Sequence, residues 1–572
     1  MNEPHSTFGI PPSSQAPGRA PERRSCAALL WAALLLLPAA GCDVFRGLDF
    51  MDYTARVDQL RQIERLDLEA MSADANAAPT TAPVGRETQP AVEPPPDELK
   101  LTLEQARAQA LEGNLDLKVQ LLNPAIAAQS ITEAEAQFES LLAANVSYAK
   151  TDTPVSSELT GSSVEMLTVT PSIRSPVRTG GAVSVDMPVN RLETDNVFST
   201  LNPSHTADLR LAVTQPILRG GGFRANTHAI RIARLEHQRS EALTKLEVIR
   251  VLAAADRVYW RLYAARQVLE VARQQLGLAE AQLQRARRQV KAGDKPEVEI
   301  LRAELGVAEQ REAIIVAANA LGQRERDLKR ILQKPGMGIA SPTVVLPTTP
   351  PNVTQYTLDA ERLVDLAMTN RMELLALELQ IAEDTSTIDF ERNRALPLLT
   401  VGYTYNVNGL GPARSDAFDL MFERRFEDHQ FGLQVEIPLG NEAARSRLRR
   451  ARLLRIQRLA TRRRRKTLIE QEVRDTFDQL GANRQRILAG RRRVALAVRV
   501  LAAEQRQFDQ GLRTTTEVLE AQTRLAEARS AEISALVEYQ VAQVDLAVAT
   551  GTLLGATRVR WEPAAPGGIG KQ

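Results

Sequence analysis

The sequence predicts a mostly helical α+β protein, internally duplicated, whose very long helices are each preceded by alternating strands. Three observations carry this expectation. Two Pro-free stretches, Phe223 to Val290 and Glu442 to Phe508, keep a helical pattern for about 67 residues, about 100 Å at a rise of ~1.5 Å per residue. Short segments with apolar residues at every second place precede both stretches. Related motifs recur in the same order in the two halves of the chain.

At the N-terminus, Arg23 and Arg24 precede an apolar run from Cys26 to Ala40, too short for a comfortable transmembrane helix and suited to a secretory leader over 1–41. The run closes with Leu37-Pro38-Ala39-Ala40-Gly41-Cys42, which resembles a lipobox, although Ala39 stands where that pattern favours a larger aliphatic residue. Cys42 is therefore the expected lipidation site. Cys26 leaves with the leader, so the mature chain is expected to carry no disulfide and no free thiol. Residues 42–99, with Ala77-Ala78-Pro79 and Glu93-Pro94-Pro95-Pro96, read as a tether from the lipid to the body. No later segment has eighteen consecutive apolar residues, so any membrane crossing is expected to use closed β-structure.

The body divides into a first repeat at 100–335, a linker at 336–356, a second repeat at 357–554 and a tail at 555–572. Ala110-Leu111-Glu112-Gly113-Asn114-Leu115 is echoed from Ala367 to Met372, and Leu211 to Ile217 from Leu433 to Leu439. Gly293 to Glu309 is echoed from Gly511 to Glu527, an offset of 218. The first pair is 257 apart and the second 222, so the first repeat carries an insertion at roughly 150–200. Each repeat reads as short helix, medium helix, strands, long helix, turn, medium helix. The insertion is expected either to add strands or to form a cap.

Strands are expected within about 143–218 and about 398–439. Val183, Val185, Met187 and Val189 alternate, as do Leu209, Leu211 and Val213; Gly180-Gly181 marks a hairpin turn. In the second repeat Val401, Tyr403, Tyr405 and Val407 alternate with polar partners, as do Phe431, Leu433 and Val435. In the first long helix Leu262, Leu269, Leu276, Leu283 and Val290 recur every seven residues beside Ala265, Ala272, Ala279 and Ala286. The second shows Leu480, Ile487, Val494, Leu501 and Phe508. A sustained seven-residue period imposes supercoiling and lateral packing into a bundle or tube. Gly293 and Gly511 end the two long helices as C-terminal caps.

Composition points away from several functions. The net charge of +2 comes from interleaved acidic and basic residues, so no nucleic-acid partner is expected. The five histidines are scattered, and no phosphate loop, nucleophile elbow or metal-ligand spacing is present. The chain reads as a non-enzyme without cofactor or metal. Gly220-Gly221-Gly222 reads as a strand-to-helix turn rather than a phosphate cradle, and Arg462-Arg463-Arg464-Arg465-Lys466 as a charged helix face.

From Leu101 to about Leu554 the chain resembles the TolC-like outer-membrane efflux protein family. The residues that carry this are Thr102-Leu103-Glu104-Gln105-Ala106, Gln215-Pro216-Ile217-Leu218-Arg219-Gly220-Gly221-Gly222, Val258-Tyr259-Trp260-Arg261-Leu262, and Gly511 through Ala521. The resemblance implies a homotrimer whose chains share one outer-membrane β-barrel continuing into one periplasmic α-helical barrel. It implies a passive exit channel of a tripartite efflux or type I secretion system, partnered by a periplasmic adaptor and an inner-membrane transporter and anchored in outer-membrane lipid. The tip turns at Gly293, Gly511 and Leu512 then face the adaptor. Glu517 and Glu520, three residues apart on one helix face, are expected to form a cation-selective ring under threefold symmetry. Glu299, Phe508 and Arg513 match positions that hold the closed gate, and Phe508 stands where the family often has a Tyr, so a phenolic hydrogen bond is missing there. The alternative from another class is a periplasmic coiled-coil adaptor or structural lipoprotein, which is expected to lack paired amphipathic strands in each half.

Overall fold

The computed structural model describes residues 98–156 and 161–560. The leader, Cys42, nearly all of the tether and the end of the tail lie outside the described residues.

Strand β1 (Glu98–Leu101) leads into α1 (Leu103–Gly113) through a capping box. The Thr102 hydroxyl accepts the Gln105 amide at 3.2 Å, and the Gln105 side chain accepts the Thr102 amide at 3.0 Å, so two orphan donors of the first turn are satisfied. Asn114 closes α1 and opens α2 (Leu115–Ala136) by accepting the Leu117 amide. Then come β2 (Leu141–Asp152), β3 (Ser163–Pro176), β4 (Ala182–Asp186), β5 (Val189–Thr194) and β6 (Ser204–Pro216). A short α3 (Phe223–Asn226) precedes the long α4 (His228–Lys291), and α5 (Val298–Leu332) returns beside it. The helix expected to run unbroken from Phe223 is interrupted at Thr227, whose backbone leaves helical geometry (φ −91°, ψ 14°) while the Phe223 carbonyl accepts both its amide at 2.9 Å and its hydroxyl at 2.7 Å.

After β7 (Val344–Pro347), the second repeat repeats the plan with α6 (Ala360–Asn370), α7 (Met372–Arg394), β8 (Leu398–Gly411), a short α8 (Arg414–Phe422), β9 (Glu427–Glu436), α9 (Glu442–Asp509) and α10 (Thr515–Ala549). A final turn, α11 (Leu553–Ala556), follows. Helices α2 and α5 both pack along α4, and α7 and α10 both pack along α9; α7 and α10 also touch α4. Among the described residues no helix is long and apolar enough to cross a membrane.

The two long helices bury different rows. In α9 the expected row is the core seam: Leu480, Ile487, Leu501 and Phe508 are buried. In the distal half of α4 the buried row is Gln275, Ala279, Gln282 and Ala286, while Leu276 and Leu283 are half-exposed on its flank.

Midway along the helices, β1 pairs in parallel with β7 and covers Tyr259 and Trp260 of α4. Tyr259 is wholly buried; its hydroxyl donates to the Leu101 carbonyl at 3.1 Å and accepts the Thr349 amide at 2.9 Å. Asp256, also wholly buried, meets Arg107 in a two-pronged pair with both contacts at 2.8 Å. The inter-repeat linker is pinned to α10, where Gln540 Nε2 donates to the Asn352 carbonyl at 2.6 Å and the Tyr539 hydroxyl donates to that of Thr354 at 2.5 Å.

The remaining strands form one antiparallel sheet in the order β2, β3, β4 with β5, β6, β8, β9. Strands β4 and β5 occupy one lane. Both pair with β3 on one side and β6 on the other in an unbroken register, from Pro176↔Ala182 to Val164↔Thr194. The lane breaks at Met187-Pro188 because Pro188 has no amide to donate. The insertion therefore adds sheet strands and is not a separate cap. Following the register across the sheet puts Leu142, Val146, Leu167, Val169, Val185, Leu211, Tyr405, Phe431 and Leu433 on one face. Asn145, Ser147, Thr170, Asn190, Arg210, Asn406 and Gln430 lie on the other. Helix α8 lies back on the apolar face near the β8–β9 turn and buries Ala417 and Met421 against Ala207 and Val407. Gly409 allows that approach, since a Cβ there would stand 2.0 Å from the Ala417 carbonyl oxygen.

Candidate functional site

The pole opposite the sheet is built by two turns of one design. The long helices α4 and α9 begin at the strands and end at Ala292-Gly293 and Gln510-Gly511, about 95–100 Å away at ~1.5 Å per residue. Gly293 (φ 81°) and Gly511 (φ 77°) adopt the left-handed backbone that a Cβ disfavours. The Asp294 amide bonds the Gln289 carbonyl and the Leu512 amide bonds the Gln507 carbonyl, each at 2.9 Å, which closes both helices in the same six-residue motif. Leu512, 72% exposed, projects from the second turn.

Four of the sequence-predicted residues meet where the two hairpins touch. Phe508 is buried against Val518, Ala521 and Leu525 inside the second hairpin. The Lys295 ammonium, from the first hairpin, stands 5.1 Å from the Phe508 ring centroid and donates to the Arg513 carbonyl at 3.0 Å. Arg513 is held within its own hairpin: Nη1 donates to Glu517 Oε1, Nε donates to Gln507 Oε1 at 2.9 Å, and Nε lies 3.2 Å from Glu504 Oε2. Glu517 Oε2 also accepts the Thr514 amide at 2.7 Å, capping the N-terminus of α10.

Glu299 reaches across from the first hairpin to the same helix terminus. Its Oε2 accepts the Thr515 amide at 3.0 Å and its Oε1 accepts Arg302 Nη1 at 2.7 Å. Glu299 is 4% exposed and Thr515 wholly buried. Burial raises the Glu299 pKa, but the Thr515 hydroxyl and amide, with Arg302 and Lys295, outweigh it and leave the carboxyl below its ordinary value. The Thr514 amide and the Arg513 guanidinium likewise lower Glu517. Two carboxylates thus sit at the positive end of α10, whereas the N-cap of α5, Glu297, makes no side-chain capping bond.

Glu520 lies apart from this cluster. It is exposed in the groove between α5 and α10, where Arg524 Nη2 lies 3.2 Å from its Oε2 and Arg302, Glu309 and Glu527 line the walls. In that groove Gly306 admits Leu519, whose Cδ2 would stand 2.9 Å from a Cβ at position 306.

Lys295, Thr515 and Glu504 were not expected from the sequence. Lys295 had a usable signal: the offset of 218 that relates Gly293 to Gly511 also relates Lys295 to Arg513 and Glu299 to Glu517. Among the described residues no group of acidic, His or Cys side chains is placed to hold a metal ion.

Residues 182–333 and 363–552 match the family described as "Outer membrane efflux protein". No curated protein matches the sequence. Among solved structures, the outer membrane protein VceC from Vibrio cholerae aligns with a TM-score of 0.58 at 14% identity, over 78% of this chain and 96% of that one. The CmeC outer membrane channel of Campylobacter jejuni aligns with a TM-score of 0.58 at 13% identity, over 79% and 86%. A membrane protein from Pseudomonas aeruginosa aligns with a TM-score of 0.60 at 16% identity, over 82% and 96%. At these identities the likeness is one of fold.

Proposed function

Because the chain belongs to the outer membrane efflux protein family, we propose that it is the passive exit channel of a tripartite efflux or type I secretion system, gated at its periplasmic tip. It resides in the outer membrane and extends into the periplasm, with the β-barrel and α-helical barrel architecture of its family. The observation that carries the channel reading is the two-faced sheet: one face carries an apolar band, as lipid requires, bounded at one end of the strands by Lys150, Glu165, Arg191 and His429, and the other is polar, as a wet lumen requires. The adaptor or structural-lipoprotein alternative leaves these strands without a role.

In this reading the chain assembles as a homotrimer, with Cys42 lipidated in the outer membrane. The exposed Leu512 and the turns at Gly293 and Gly511 meet a periplasmic adaptor, through which an inner-membrane transporter delivers cargo. The tip is closed when Glu299 and Lys295 clamp the second hairpin through Thr515 and Arg513, and opening separates the hairpins. Glu520, with Glu517 behind it, supplies negative charge to the constriction.

Two measurements test this. Protein extracted from outer membrane is expected to run as a heat-modifiable trimer; a soluble monomer after removal of Cys42 refutes the channel. In planar bilayers Arg513→Ala is expected to raise resting conductance, because it frees Glu504 and Glu517 from their shared cation. A variant as closed as wild type removes Arg513 from the gate.

A further inference from the structure

We propose that three chains close into an eighteen-stranded barrel, β9 of each pairing antiparallel with β2 of the next, and that the inserted β3–β5 hairpin is what widens it. This rests on the trimeric channel proposed above and adds to it the strand count, the seam and the pore width.

The argument begins with strand length. A barrel strand needs about 9–11 residues to cross a bilayer. Strand β2 has 12, β3 has 14, β6 has 13, β8 has 14 and β9 has 10. The β4–β5 lane runs from 182 to 194 in one register. All six lanes are long enough to cross, including the two that the insertion supplies.

The second step is the state of the sheet edges. The sheet ends at β2 and β9, which do not pair with each other. Each therefore presents a row of unpaired amides and carbonyls, which in hydrocarbon costs several kcal/mol per group. Six strands also fall short of the eight in the smallest membrane barrels. The edges must find another chain.

Three features match one edge to the other. Every neighbouring pair in the sheet is antiparallel and the lane count is even, so β9 of one chain meets β2 of the next antiparallel. The insertion adds two lanes, which preserves that parity. Both edges carry the same faces: Leu142, Val146 and Tyr148 against Asn145 and Ser147 on β2, and Phe431, Leu433 and Val435 against Gln430 and Gln434 on β9. Finally, each edge continues into a helix with unpartnered apolar residues. Leu115, Val119, Leu122 and Ile126 form an exposed stripe on α2, which leads into β2; Leu453 and Ile456 are exposed on α9, which follows β9. Strand edge and helix stripe on one flank thus face strand edge and helix stripe on the other, as a head-to-tail ring requires.

With strands ~4.8 Å apart and tilted about 40°, eighteen strands give a backbone diameter of about 36 Å, against about 24 Å had the hairpin been absent. The lumen wall is polar, with Asn145, Thr170, Asn190, Arg210, Asn406 and Gln430 facing inward. Passage of large solvated cargo is then limited by the helical tip and not by the barrel.

The test uses the full chain with one cysteine at Gln430 and a second at Asn145, Ser147 or Ala149, all on the polar face. After mild oxidation, one of the three pairs is expected to give a reductant-sensitive, covalently linked trimer. Images of the wild-type trimer down its axis are expected to show a barrel about 36 Å across. A trimer on sizing that yields no linked chains with any pair, or whose barrel is about 24 Å across, overturns the eighteen-stranded closure and leaves the channel standing. Absence of a trimer overturns both.

Discussion

Glu299→Ala removes the contact on which the proposed clamp depends. Its carboxylate is the acceptor for the Thr515 amide, and Thr515 is wholly buried, so water does not replace it. Leaving a buried donor unpaired costs about 1–3 kcal/mol. Withdrawing a negative charge from the first turn of α10 adds about 0.3–1 kcal/mol. If the bond exists only in the closed tip, a loss of about 2–3 kcal/mol shifts the closed-to-open equilibrium by roughly 30- to 150-fold. Glu299→Gln keeps an oxygen for the amide and loses only charge, so its shift is expected to be smaller, on the order of tenfold or less. Resting conductance in planar bilayers and thermal unfolding measure both. The order wild type, Gln, Ala in resting conductance is expected. Equal resting conductance in all three, with the Ala variant unfolding at a lower temperature, refutes the clamp and leaves Glu299 as a helix cap alone.

Acidification acts on the same groups. Glu299 and Glu517 are held below their ordinary value of 4.5, so their stabilisation is complete above that pH and is lost only as pH falls through the depressed values. Resting conductance is expected to stay flat from roughly pH 6 to 8 and to rise below roughly pH 4; a transition near neutrality contradicts the assignment. Glu520→Ala is expected to move the reversal potential in a salt gradient toward that of a non-selective pore, whereas Arg524→Ala, which frees the Glu520 carboxylate, moves it toward stronger cation selectivity. Unchanged potentials in both variants remove Glu520 from the constriction. Tyr259→Phe leaves the part-buried Thr349 amide without its acceptor, while the Leu101 carbonyl keeps the Thr348 amide at 3.0 Å, so it is expected to cost about 1 kcal/mol of stability, read by thermal unfolding, with no change in resting conductance.

Local chemistry made much of the fold legible in the sequence. Capping at Thr102 and the Pro-free run of α9 follow from short-range rules, and α9 starts at Glu442 as expected and ends at Asp509, one residue beyond Phe508. The tip turns were readable because positive φ favours Gly, and the offset of 218 pointed to their equivalence. The break at Thr227 was hidden because a Thr inside an otherwise helical pattern gives no sign that its backbone will leave helical geometry.

Other features depend on what each residue meets across space. Period marks two candidate rows on α4 but does not say which one is buried, and the structure buries Ala and Gln in the distal half while leaving Leu276 and Leu283 on the flank. Alternation announces a strand but not its neighbours; only the register joining β3 to β4 and β5 makes the insertion part of the wall. The gate residues divide in the same way. Sequence alone determined that acidic and basic residues crowd the second tip turn. Only the tertiary structure decided that Glu299 caps a helix 216 residues away and that Lys295 covers Phe508, because a hydrogen bond and a cation–ring contact depend on distances that the packing of two hairpins fixes.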